Sequence, residues 1–304
     1  MLPLEINAIV DSLNTTQNNS WKFYLRILLL FLLLLVALAA YYYHLQKAVR
    51  FEVVQFKSNL VGELLPYGVV LPPGYRLITS GRLNYPVLYL LHGWNGDHNS
   101  WAKQTALIQY AAEYQMIIIT PEGGNGWYTD SATVPSDQYE AYFLRELIPD
   151  VDSRFRTIAD RRGRGVAGVS MGGYGALKLG FKHPEKFSFA ASISGAVDAT
   201  ARTDDASIMQ SFGEPESPVR KSNDLPRLAR EFPADREALL PYLYLDCGTE
   251  DLWLESNRDF SRVLIERRIV HEYRQLPGNH AWTYWDRQVR EVMRIAAERM
   301  VAAE

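Results

Sequence analysis

The sequence predicts an α/β fold: a mostly parallel eight-stranded sheet with helices on both faces, preceded by one N-terminal transmembrane helix. Three observations carry this expectation. From about Phe51 onward, short apolar runs alternate with helix-like stretches, the pattern of a parallel sheet covered by crossover helices. Gly168-Val169-Ser170-Met171-Gly172 lies between one such run and one such helix. Residues 27–43, uncharged and mostly leucine, depart from the soluble pattern altogether.

Residues 1–26 are polar and rich in Asn and Thr, a tail expected to be poorly ordered. The apolar run 27–43 has Lys22 and Arg26 before it and Lys47 and Arg50 after it. At about 17 residues it sits at the short edge of what spans a bilayer. Tyr41, Tyr42 and Tyr43 suit an interfacial aromatic belt, and the run has no polar face such as a core helix at a domain surface would show. Two readings follow. The favoured one is an uncleaved single-pass anchor, because the preceding stretch is long for a leader and carries Glu5 and Asp11. The other is a signal peptide cleaved after Ala37-Leu38-Ala39, which would leave a secreted protein. Basic residues flank both sides about equally, so orientation stays open; either reading most simply delivers residues 51–304 outside the cytoplasm.

Residues 51–58 and 64–71 read as an antiparallel opening pair, ended by Pro72-Pro73-Gly74. The remaining strands are expected at 87–91, 116–120, 166–169, 189–193, 242–245 and 270–275. Helix-like stretches separate most of them, at 100–114, 139–154, 171–182 and 252–268, and 281–303 makes a long closing helix. A strand, a sharp turn carrying G-x-S-x-G, and a helix opening on small residues form the nucleophile elbow of an α/β-hydrolase. Eight strands with that turn after the fifth match the α/β-hydrolase order. The glycines matter because the serine sits in a strained turn where neighbouring Cβ atoms would clash.

Of the 304 residues, 47% are hydrophobic and 22% charged, ample for one large globular domain. A net charge of −3 points to no nucleic-acid partner. Cys247 is the single cysteine, so no intramolecular disulfide can form, and zinc-type Cys/His spacing is missing. The chemistry expected here needs no cofactor and no metal. Nothing in the sequence sets the oligomeric state.

A serine hydroxyl is a poor nucleophile until a neighbouring base takes its proton. The elbow's fold supplies that base in the chain order Ser, Asp or Glu, His. Downstream of Ser170, the loop Asp246-Cys247-Gly248-Thr249-Glu250-Asp251 follows one strand and Leu276-Pro277-Gly278-Asn279-His280 follows the next. His280 is the expected base; His271 lies inside a strand, and His183 is expected at the surface, at the end of the helix after the elbow. Asp246, Glu250 and Asp251 compete to orient it, and position alone selects none. Acyl transfer also requires two backbone N–H donors for the oxyanion. Met171, the residue after the nucleophile, supplies one, and Trp94 in the loop Leu91-His92-Gly93-Trp94-Asn95-Gly96 supplies the other. The expected role of His92 is to brace this loop by hydrogen bonds.

Tyr89-Leu90-Leu91-His92-Gly93, Gly168 to Ala176, Asp246 to Asp251 and His280-Ala281-Trp282-Thr283-Tyr284-Trp285 together resemble the esterase D-like putative esterase family. Its members include S-formylglutathione hydrolases, short-chain acyl esterases, feruloyl esterases and mycolyltransferases. The resemblance covers roughly residues 51–300. It implies Asp251 as the triad acid and places Asn125-Gly126-Trp127-Tyr128 beside the cleft, with Trp127 and Trp282 as substrate-pocket walls. No cysteine lies near the His92-Gly93 loop, which disfavours the S-formylglutathione hydrolase branch, and residues 196–241 are too few for a large lid domain.

The leading expectation is a membrane-tethered serine carboxylesterase acting on short-chain or aromatic acyl esters of a small molecule, carbohydrate or lipid. An acyltransferase using the same serine, with a sugar or lipid hydroxyl in place of water, is the alternative. A non-catalytic binding protein on a hydrolase scaffold is the remote third, disfavoured because all three triad residue types are present.

Overall fold

In the computed structural model, residues 21–44, 48–77 and 81–304 are described. One helix, α1, spans Pro3–Lys47. The tail expected over 1–26 lies mostly outside the described residues. Within α1, the stretch Trp21–His44 is 24 residues of mean hydropathy 2.7, exposed throughout, and is long and apolar enough to cross a membrane. At about 1.5 Å per residue it reaches about 36 Å, more than a hydrocarbon core of about 30 Å.

The rest of the chain builds one eight-stranded sheet in the order β1-β2-β4-β3-β5-β6-β7-β8. Its strands are β1 (Phe51–Val54), β2 (Tyr67–Val70), β3 (Val87–Leu91), β4 (Ile117–Pro121), β5 (Arg164–Val169), β6 (Phe189–Ile193), β7 (Tyr242–Gly248) and β8 (His271–Leu276). Pairing is antiparallel through β1, β2 and β4, and parallel from β4 to β8. The central strands β3, β4, β5 and β6 are buried at every position, which is why they read as continuous apolar runs rather than alternating ones. Helices cover both faces: α2 (Ser100–Gln104), α3 (Leu107–Ala111), α4 (Tyr139–Tyr142), α5 (Ile148–Arg154), α6 (Met171–Lys182), α7 (Ala206–Phe212), α8 (Pro218–Ser222), α9 (Leu225–Arg230), α10 (Leu254–Glu266) and α11 (Trp282–Arg299). Two apolar cores result, one on each side of the sheet.

Several boundaries differ from the sequence expectation. The opening pair is shorter, because the chain turns at Ser58, whose hydroxyl bonds Glu146 and accepts from the Val61 N–H; beyond the ladder only a bridge between Lys57 and Leu64 remains. The helix expected over 100–114 breaks into α2 and α3. At Thr105 the backbone is extended, and its hydroxyl donates to Trp101 O and accepts from Leu107 N–H. The stretch 139–154 is helical, but Pro149 supplies no N–H to the carbonyl one turn back, and a π-type turn, Phe143–Leu147, takes up the break. At the other end of the range, α10 starts at Leu254 instead of 252, after Asp251 has accepted the Trp253 N–H.

The elbow lies where the sequence places it, between β5 and α6. Ser170 has φ 53° and ψ −118°. A Cβ at Gly168 would come within 2.5 Å of the Gly172 backbone, and one at Gly172 within 2.5 Å of Leu91 O and 2.6 Å of His92 O. Gly172→Ala must therefore push α6 off the end of β3. We expect it to cost about 1–3 kcal/mol or more, and hence to lower Tm by several degrees, since about 1 kcal/mol corresponds to about 2–4 °C in a domain this size. Thermal unfolding followed by circular dichroism measures it.

Candidate active site

The βα loops of the sheet converge at the carboxyl ends of the parallel strands, where ligands bind in open α/β sheets. At the end of β5, Ser170 is largely buried and its hydroxyl lies 3.0 Å from Nε2 of His280. His280, in the loop after β8, has its Nδ1 at 3.1 and 3.0 Å from the two carboxylate oxygens of Asp251, in the loop after β7. Asp251 also accepts the Trp253 N–H at 2.9 Å. Burial works to raise the Asp251 carboxyl, but the hydrogen bonds from His280 and the Trp253 amide overcome it and hold the pKa below the ordinary carboxylate value. An ionised Asp251 sets the His280 tautomer: Nδ1 carries a proton and donates, so Nε2 is the nitrogen that faces Ser170. Trp285 packs edge-on against the imidazole, ring centroids 4.9 Å apart, and limits its rotation.

The other two carboxylates of that loop do not reach the imidazole. Glu250 is exposed. Asp246 is fully buried at the heart of β7, where it accepts the Tyr284 hydroxyl at 2.9 Å and its second oxygen has no partner. Burial pushes its carboxyl up to about 7 despite that hydrogen bond. His271 bonds Ser261 and the Ile269 carbonyl, away from the serine. His183, expected at the surface, is half-buried and bonded to Glu140.

His92 is buried beneath the loop after β3. Its Nε2 accepts the Gly123 N–H at 3.0 Å, which leaves Nδ1 as the donor to Gly93 O at 2.8 Å. Gly96 N–H binds the same carbonyl at 3.0 Å. In a trans peptide the C=O and the following N–H point in opposite directions, so a Gly93 carbonyl drawn toward His92 turns the Trp94 N–H the other way. The Trp94 and Met171 N–H groups have no protein acceptor among the described residues. Asn95 and Asn125 tie this loop to the loop after β4 through two reciprocal hydrogen bonds of 2.8 and 3.0 Å.

A cleft of about 680 Å³ opens over Ser170 and His280, within the usual range for a small-molecule site. Trp94, Leu252, Trp253, Trp282 and Trp285 line it. Trp127 does not line the cleft. It is buried behind Trp94, 6.4 Å between ring centroids, against Tyr174 and Phe212, with its indole N–H on Ser207; it backs the wall instead of forming it. Sequence reasoning passed over Trp253 and Trp285 as wall residues. Both had a legible signal: Trp253 is two residues after Asp251, and Trp285 is one helical turn after Trp282.

The α/β-hydrolase fold and this hydrogen-bonded serine, histidine and aspartate define the serine-hydrolase class. The chain belongs to the family described as "Putative esterase", which matches residues 58–294. It is 32% identical over 255 residues to Esterase Rv1288 of Mycobacterium tuberculosis (strain ATCC 25618 / H37Rv), covering 75% of this chain and 55% of the relative. The chain thus spans about half the length of that relative. It is 27% identical over 218 residues to an acetyl esterase of Caldicellulosiruptor saccharolyticus, covering 68% of this chain and 81% of that one. A solved ferulic acid esterase superposes with a TM-score of 0.72 at 25% identity, covering 83% and 99% of the two chains.

Two outcomes follow from this geometry. His92→Phe removes both loop bonds of the ring, so we expect kcat for ester hydrolysis to fall on the order of 10², the usual cost of one oxyanion donor, with KM little changed; steady-state kinetics on a soluble ester read it. Asp246 gives a pH dependence of stability. Between about pH 4 and about pH 7 the folded protein keeps a proton that the unfolded chain has released, so stability falls as pH rises through that window. Asp246→Asn does not titrate there. Urea unfolding at pH 5 and pH 8 should show the variant gaining on the wild type at the higher pH.

Proposed function

We propose that the chain is a membrane-tethered serine carboxylesterase acting on short-chain or aromatic acyl esters, its domain held outside the cytoplasm by α1. The observation that carries the reading is the continuous chain from Ser170 Oγ through His280 to Asp251, each link about 3 Å, at the floor of an aromatic cleft. Ser170 Oγ attacks the ester carbonyl while His280 Nε2 takes its proton. Asp251 orients the imidazole and stabilises the imidazolium as it forms. The Trp94 and Met171 amides hold the oxyanion. His280 then protonates the departing alcohol, leaving an acyl-enzyme on Ser170. Water, deprotonated by His280, attacks that acyl carbon and releases the acid.

Relatives named as an acetyl esterase and a ferulic acid esterase support small and aromatic acyl groups, and Trp94, Trp253 and Trp282 offer flat apolar walls to either. Hydrolysis is favoured over transfer to a sugar or lipid hydroxyl because these relatives are named as esterases. The anchor is supported by the length and apolarity of Trp21–His44.

A fluorophosphonate probe should label the wild type and fail to label Ser170→Ala, with His280→Ala strongly slowed. Asp251→Asn should keep the fold and lose kcat on the order of 10³–10⁴, the scale of a triad whose histidine is left in the wrong tautomer, whereas Glu250→Gln should stay near wild type. A folded, unlabelled wild type, or equal losses at 250 and 251, would overturn the assignment. A panel of acetyl, butyryl and feruloyl esters ranks the acyl preference.

A further inference from the structure

The sheet gives the domain two unlike ends. The cleft stands at the carboxyl ends of the parallel strands, and the opposite end gathers the loops that lead into them. The sense of β1 follows from two antiparallel pairings, β1 with β2 and β2 with β4, so β1 runs parallel to β4. Residues 48–50 alone join α1 to β1. The tether therefore enters at the end away from the cleft, one strand length from it, about 17–23 Å for five to seven residues.

That entry end has its own surface chemistry. Arg50, Arg82, Lys186, Arg236, Arg268 and Arg299 are exposed there, and among the described residues none of the six is in an ion pair; of the exposed carboxylates at that end, Asp235 and Glu266 are likewise unpaired, while Asp160, Glu185, Glu298 and Glu304 lie in ion pairs, so unpaired cations are in excess. Between them stand four exposed apolar side chains, Val270 at 82%, Ile265 at 65%, Leu239 at 41% and Leu83 at 39%. The face is contiguous. Arg161 binds the carbonyls of Pro184, Leu239 and Leu240, while Asn84 pairs with Glu304 through the backbone and Val301 N–H binds Arg162 O.

We propose that the entry end is a membrane-apposed surface that docks on the anionic phospholipid headgroups of the bilayer crossed by α1. It rests on the anchor reading of α1. Unpaired cations within a Debye length of an anionic surface are attracted to it, and Leu83, Leu239, Ile265 and Val270 can sit at the boundary between headgroup and acyl chain. Docked in this way, the cleft faces away from the bilayer, and the ester it takes belongs to a solute or to a polymer outside the membrane, not to a lipid of the same leaflet.

The test uses the full chain in nanodiscs of phosphatidylcholine, with or without phosphatidylglycerol, doped with a headgroup-level quencher. A dye is placed at Val270→Cys or, as the control, at Glu250→Cys; Cys247 is buried and stays unlabelled. The dye at 270 is expected to lose most of its fluorescence in phosphatidylglycerol discs and to recover it at 1 M salt, where the Debye length falls to about 3 Å. It should also recover in the Lys186→Gln/Arg236→Gln/Arg268→Gln background, while the dye at 250 stays bright throughout. A disc-bound protein whose dye at 270 stays bright, whose dye at 250 is quenched, or whose quenching ignores salt and lipid charge overturns the docking surface alone. A full chain that does not co-migrate with discs overturns the anchor reading, and the surface with it.

Discussion

Ser170 holds a backbone conformation that an L-residue avoids, and the rest of the site is arranged around keeping it there. Such a residue costs about 1–3 kcal/mol and persists only where its surroundings over-determine it. Here they do. The Ser170 N–H binds Ile193 O on the neighbouring strand, and its carbonyl accepts the N–H groups of Tyr174 and Ala196. Gly168 and Gly172 let β5, α6 and the end of β3 approach to distances that any side chain would forbid. The consequence is chemical. The turn lifts the hydroxyl clear of the sheet toward His280 and begins a helix at the next residue, so the Met171 N–H is left without a helical acceptor and faces the same space.

The wall opposite the histidine depends on a charge cluster one layer further in. Lys178, on α6 behind the elbow, is completely buried and donates to Thr129 Oγ1 at 2.6 Å and to Glu140 at 2.9 Å. Glu140 also receives Lys182 and His183. Burial alone would raise the Glu140 carboxyl, but the Lys178 charge, the hydrogen bond to His183 and the Lys182 charge hold it well below the carboxylate range. The cluster fastens the loop after β4 onto α6 just where Trp127 and Tyr128 adopt φ of 54° and 51°. Trp127 then supports Trp94 from behind, and Tyr128 donates to the His92 carbonyl. A buried ion pair contributes little net stability compared with an apolar replacement; its value here is in fixing where the loop goes.

Strand order, the elbow, and the placing of Ser170, His280 and the Trp94 loop at strand ends were legible because each depends on local pattern: apolar runs, glycine spacing, and position at a strand end. What was not legible depends on contacts between segments far apart in sequence. Trp127 was expected at the cleft because the family resemblance implied it, but whether an aromatic lines a wall or backs it is decided by Ser207 and Phe212, some 80 residues away. His183 was expected at the surface because helix ends usually are; Glu140 draws it in. The shortened opening strands and the π-type turn answer to single residues, Ser58 and Pro149, whose effect on a boundary is clear only once their partners are placed.

The choice among Asp246, Glu250 and Asp251 shows how one loop can hold carboxylates of three different characters. Asp246, still within β7, receives a single neutral donor and is fully buried, so its proton stays on through most of the acid range. Glu250 points into solvent, where charge is easily carried but no imidazole can be held. Asp251 is ionised, because a backbone amide and the imidazole N–H both donate to it. Asp251 is the less deeply enclosed residue of the two and also has the charged-form donors; the turn after β7 supplies one of them by bringing the Trp253 amide onto the carboxylate that also faces His280. In the mechanism proposed above, a charge kept by these donors is what would let Asp251 favour the imidazolium as the serine gives up its proton.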